Sequence, residues 1–102
     1  MIKVEITKDS YIKRVKVHGH ANFSEHGSDI VCSAASSMTI LTVNALYKFG
    51  LGPKCEIISN DEGLIDIKVL NNDVIIQTLL ENLVDNFTEL ENDYRDYIRI
   101  IK

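Results

Sequence analysis

The stretch DIVCSAASSMTILTVNALYKFGLGP, residues 29–53, decides the fold. Val31, Ala34, Ala35, Met38, Leu41, Thr42, Ala45, Leu46 and Phe49 recur at three-to-four spacing, the period of one helical face, until Gly50 and Pro53 stop the run. Asp29 offers an N-cap, so the spacing predicts a helix of about five turns beginning there. Small residues, Ser33 to Ser37, crowd its first third and let the backbone lie close against a sheet or a substrate; tight packing is the plainer explanation.

Either side of this helix the period changes to two. Ile2, Val4 and Ile6 alternate with Lys3, Glu5 and Thr7, and after Asp9-Ser10 the residues Val15 and Val17 alternate with Arg14, Lys16 and His18, so residues 2–18 read as a hairpin. Between Gly19 and Ser28 the apolar period stops and turn formers take over, as in an exposed loop. Downstream, Cys55–Ser59 and Leu64–Leu70 form a second hairpin across Asn60-Asp-Glu-Gly63, where Gly63 supplies a positive φ. Asn72 and Asp73 open a second helix with the apolar stripe Ile75, Leu79, Leu83, Phe87 and Leu90, and Glu81, Asp85 and Glu89 lie on a solvated face. Tyr97–Lys102 ends the chain as a strand. The order ββαββαβ predicts an α+β fold with one mostly antiparallel five-stranded sheet and two helices.

A chain of 102 residues, 45% of them hydrophobic, supports one core, so residues 1–102 read as a single domain. One proline, five glycines and no low-complexity run exclude a disordered chain. The first residues lack the apolar core of a signal peptide, and no apolar run is read as approaching the roughly 18 residues of a membrane span, so a cytoplasmic protein is expected. Two cysteines are too few for a disulfide framework, which leaves Cys32 and Cys55 as free thiols. The formal net charge of −4 argues against a nucleic-acid partner.

With Asp29 as N-cap, Cys32 becomes the third helical residue, among N–H groups that lack an intrahelical partner. The helix dipole favours a thiolate there, and the same N–H groups suit the oxyanion formed when sulfur attacks a carbonyl. Such a nucleophile needs a base, and imidazole does this best near neutral pH. His18, His20 and His26 all precede Cys32; His20, behind Gly19, is favoured modestly by spacing alone. Cys55 reads as a small buried hydrophobe.

Gly19-His20-Ala21, then Gly27, then Asp29-Ile30-Val31-Cys32-Ser33-Ala34-Ala35-Ser36 resembles the signature of the bacterial ribosomal-processing cysteine proteases, the Prp family. The similarity runs over essentially the whole chain, including Val43-Asn44 and the late Tyr-x-x-x-Ile-Arg segment that ends at Arg99. This resemblance implies a cytoplasmic, homodimeric endopeptidase that removes a short N-terminal extension from large-subunit ribosomal protein twenty-seven, cutting beside a pair of phenylalanines. It implies Cys32 as nucleophile, His20 as general base and acid, Asp29 and Ser36 as supporting groups near substrate, and Gly27 as a source of freedom for a covering loop. Ser36 fits independently, one helical turn beyond Cys32. Asp29 either caps the helix alone or also orients His20 or binds the substrate backbone. His18 stands where the family pattern requires no histidine, and the residues Asn22 to His26 are not diagnostic of it. No cofactor, metal, membrane or nucleic acid is implied.

Two rivals remain at this stage. One takes His18, His20, His26 and Cys32 as zinc ligands, although their spacing matches no common zinc module. The other is a non-catalytic, dimeric ribosome-assembly protein that binds its partner through a sheet edge.

Overall fold

The computed structural model describes residues 1–19, 26–60 and 63–102, with residues 26–29 described by their backbone alone. Strands β1 (Ile2–Lys8) and β2 (Ile12–His18) form the first hairpin, and β3 (Cys55–Ser59) and β4 (Ile65–Val69) the second. Helix α1 (His26–Lys48) joins the hairpins, α2 (Val74–Asp93) follows β4, and β5 (Ile98–Ile101) closes the sheet. The strand order is β3-β4-β2-β1-β5, antiparallel except for the parallel β1–β5 pair. This is the expected ββαββαβ α+β fold. Gly63 has φ +89° in the second hairpin, as its place in the turn requires.

One face of the sheet carries the core. Val4 lies opposite Val17 and Ile100, Val17 opposite Ile65, and Ile67 opposite both Val15 and Ile57, so a single apolar layer crosses all five strands. Both helices contribute to that core, α1 through Val31, Ala35 and Leu46 and α2 through Ile76, Leu80, Leu83 and Phe87. The opposite sheet face bears polar groups, among them Arg14, whose Nε and Nη2 donate to the two oxygens of the buried Asp66 at 2.8 and 2.6 Å.

The helix ends show how the sequence sets its boundaries. Asp73 is extended (φ −155°, ψ 142°) and accepts from the Ile75 N–H at 2.8 Å, so α2 starts where the sequence predicts. At the end of α1, Gly50 takes φ +74°, its N–H donates to the Tyr47 carbonyl, and the Leu51 N–H reaches back to Leu46. That bond pair is a Schellman stop.

Three expectations are corrected. First, α1 begins at His26, so Asp29 lies within its first turn and does not cap it, and residues 26–28 are helical rather than loop. Second, the buried stripe of α2 is Ile76, Leu80, Leu83 and Phe87; the doublets Ile75-Ile76 and Leu79-Leu80 let two phases satisfy the same period, and the core selects the second member of each. In α1, Leu41 and Phe49 are exposed instead of buried. Third, Ile30–Lys48 is long and apolar enough, by length and composition, to cross a membrane. Here the same segment lays Val31, Ala35, Thr39, Thr42 and Leu46 into the core. Its two buried threonines donate to the Ala35 and Met38 carbonyls at 2.7 and 2.9 Å, so no hydroxyl is left unbonded.

Candidate active site

The sheet has one end where three strands terminate together. Val17, near the end of β2, pairs with Ile65 at the start of β4, and Ile65 pairs with Ser59 at the end of β3. Gly19 leaves β2 at that end with φ +96°, and a Cβ there would lie 2.4 Å from the Met1 carbonyl oxygen. Both the left-handed backbone and the close approach require glycine, which gives the Gly-His pair a physical reason. His20 itself lies outside the described residues.

Cys32 sits on α1, half-buried and packed against the edge of the core beside the fully buried Val31. Counted from His26 it is the seventh helical residue, a position where the helix supplies an i−4 carbonyl for its N–H. The expectation that Cys32 sits among free N–H groups is therefore corrected. Those groups belong to residues 26–29, and the dipole effect fades within the first turn. The site's thiol is presented by the flank of a helix and not by its tip.

The other expected site residues fall as follows. Ser36 is exposed one turn beyond Cys32 on the same helical row. Gly27 and Asp29 stand in the first turn of α1, so Gly27 is part of a helix and not of a covering loop. His18 points away from the helices: Val15 and Val17 face the core, and His18 Nε2 lies 2.5 Å from Glu5 Oε2 on the polar sheet face. With His18 across the sheet from Cys32, the proposed zinc set is not brought together, and His18 is removed as a candidate base. Among the described residues no cluster of three metal-ligating side chains occurs.

Cys55 is buried at the start of β3, and burial pushes its thiol pKa up. It behaves as the small hydrophobe its position suggested, leaving Cys32 as the accessible thiol.

Sequence reading gives Ile40 no role and Val43 one only as part of the family resemblance; both continue the row of Cys32 and Ser36 along α1. With Asn44 they line a hollow of about 190 Å³ completed by Ile57, Ser59 and Ile65 from β3 and β4. The i+4 row from Cys32 was readable in the sequence; the strands opposite it were not.

A thiol on a helix flank, with the edge strand β3 beyond it, suits attack on an extended chain, the work of a cysteine peptidase. Comparison with known proteins agrees. The family described as cysteine protease Prp matches residues 1–99. The chain is 31% identical over 111 residues to the ribosomal processing cysteine protease Prp of Bacillus subtilis, covering 98% of this chain and 96% of that one. It is 33% identical over 106 residues to the protein of that name from Staphylococcus aureus strain Mu50, covering 98% and 97%. Among solved structures it resembles the S. aureus protease Prp in complex with a substrate peptide (TM-score 0.86, 30% identity, 98% and 97% of the two chains). It also resembles the S. aureus protease with a covalently linked product peptide (TM-score 0.85, 31% identity, 99% and 98%). The chain belongs to the Prp family of cysteine proteases, which sets aside the reading as a non-catalytic assembly protein.

Proposed function

We propose that this peptidase removes an N-terminal extension from large-subunit ribosomal protein twenty-seven in the cytoplasm, using Cys32 as nucleophile and His20 as its base. The observation that carries the reading is the single accessible thiol, Cys32, held at the core edge of α1 in a chain matched to the family over residues 1–99. In the proposed cycle His20 takes the Cys32 proton as sulfur attacks the scissile carbonyl, then returns it to the leaving amine, which is the new N-terminus of the shortened protein; water then hydrolyses the thioester and frees the extension. Ser36, exposed one turn away, is proposed to hydrogen-bond the substrate backbone, and Asp29 and Gly27, in the first turn of α1, are proposed as supporting groups.

The protein is further proposed to work as a homodimer. Tyr47, Phe49, Leu70 and Val74 are exposed apolar side chains at the far end of α1 and the start of α2. The Lys54 Nζ–Asp73 Oδ2 contact of 3.0 Å and the Leu70 N–H bond to the Lys54 carbonyl tie the segment that follows α1 to the start of α2. Exposed apolar side chains of this size are candidates for the dimer surface.

The test is incubation with the extended ribosomal protein and with its mature form, products being identified by mass. One cut that releases the extension is expected, with a loss of about 10²–10⁴-fold in His20→Ala. Undiminished cleavage by His20→Ala moves the base elsewhere, and an uncut precursor removes the substrate assignment.

A further inference from the structure

We infer that the hollow between α1 and the β3–β4 end is a substrate subsite that takes one bulky apolar side chain, four or five residues from the scissile bond; this rests on the peptidase reading above. Three observations meet here. Cys32, Ser36, Ile40 and Val43 follow one another at i, i+4, i+8 and i+11, a single row of a 3.6-residue helix. The hollow they lead to is lined by Ile40, Val43, Ile57 and Ile65, with Asn44 and Ser59 as its polar members. Its volume of about 190 Å³ is below the roughly 300–1,000 Å³ of a small-molecule site, so it suits a single side chain.

The distance follows from helix and strand geometry. Ile40 and Val43 lie about 12 and 17 Å along the axis from Cys32 at 1.5 Å per residue. An extended peptide covers about 3.3 Å per residue, so a chain with its scissile carbonyl at Cys32 brings its fourth or fifth residue over the hollow.

The two sheet edges differ in a way that favours this track. At β5 the Ile100 N–H already donates to Glu91 Oε2 at 2.6 Å, which blocks an added strand. At β3 no side chain among the described residues caps the outer edge, and that edge borders the hollow through Ile57 and Ser59. A peptide lying along β3 finds free backbone groups on one side and an apolar pocket for an alternate side chain on the other.

The test scans a labelled precursor peptide by placing lysine at each position on either side of the cut. Besides any effect next to the cut, one position about four or five residues away is expected to raise KM about tenfold or more, the effect falling on KM and not on kcat. Val43→Trp, which fills the hollow, removes that dependence. Ile40→Glu, at an exposed position that tolerates charge, reverses it in favour of the lysine peptide. Alkylation of Cys32 by iodoacetamide at the wild-type rate shows that each variant is folded around its thiol. A scan with no dependence beyond the residues adjoining the cut, or one unchanged in both variants, overturns the subsite. Should the wild type cleave no peptide, the peptidase substrate fails separately. The same scan, read as peptide Kd on Cys32→Ala protein by fluorescence anisotropy, then decides the hollow on its own.

Discussion

The two helices lie against one sheet and use their side chains in opposite ways. Helix α2 buries large residues, Ile76, Leu80, Leu83 and Phe87, and turns Glu81, Asp85 and Glu89 to solvent. Helix α1 buries mostly small or modest ones, Val31, Ala35, Thr39 and Thr42 with Leu46, while Ile40 and Leu41 stand 50% and 69% exposed. One helix therefore anchors the fold, and the other places little of its apolar surface in the core and leaves the rest exposed. The accessible thiol, Cys32, is on the second kind of helix.

The largest effect expected from this contrast is in stability. Phe87→Ala removes a fully buried ring from α2 and is expected to cost about 3–5 kcal/mol in urea unfolding. Leu41→Ser on α1 is expected to stay within about 0.5 kcal/mol of wild type. Equal losses from the two substitutions would erase the distinction between the helices.

A smaller contrast separates the two thiols. Iodoacetamide at neutral pH is expected to modify Cys32 at least about tenfold faster than Cys55, whose burial disfavours the thiolate. Peptide mapping after partial alkylation reads the ratio directly, and faster labelling of Cys55 would contradict the assigned exposure.

The smallest effect concerns the start of α2. The Lys54 ammonium and then the Ile75 N–H hold the Asp73 carboxyl below its ordinary value of 3.8. Because the folded value is the lower one, this carboxylate adds stability at pH values above 3.8, and that contribution disappears as pH falls through the folded value. In Asp73→Asn the thermal midpoint is expected to be slightly lower at neutral pH and to fall less steeply on acidification. A variant with the wild-type acid slope would show that the cap carries no charge-dependent stability.

These regions also show what a sequence can and cannot display. Alternation exposed both hairpins because each strand has one buried face, and the Asp73 cap stood directly before an apolar period. The start of α1 was hidden: His26, Gly27 and Ser28 are polar or small, so the helical turn they form leaves no apolar period to read. That difference of one turn moves Cys32 from the helix tip to its flank and takes away the free N–H groups as a reason to expect reactivity there. The parallel pairing of β5 with β1, and the placing of Ile57 and Ile65 opposite Val43, depend on strand order, which local pattern does not encode. His18 was separated from its rivals only when the pleat placed it beside Glu5, across the sheet from α1.

Cys32 is proposed to form the covalent bond with substrate. The most direct measurement is acid quenching during turnover of the extended peptide, followed by intact mass and peptide mapping. An acyl adduct is expected on the peptide containing Cys32, and neither adduct nor cleavage with Cys32→Ala. An adduct on Cys55, or continued cleavage by Cys32→Ala, would contradict it.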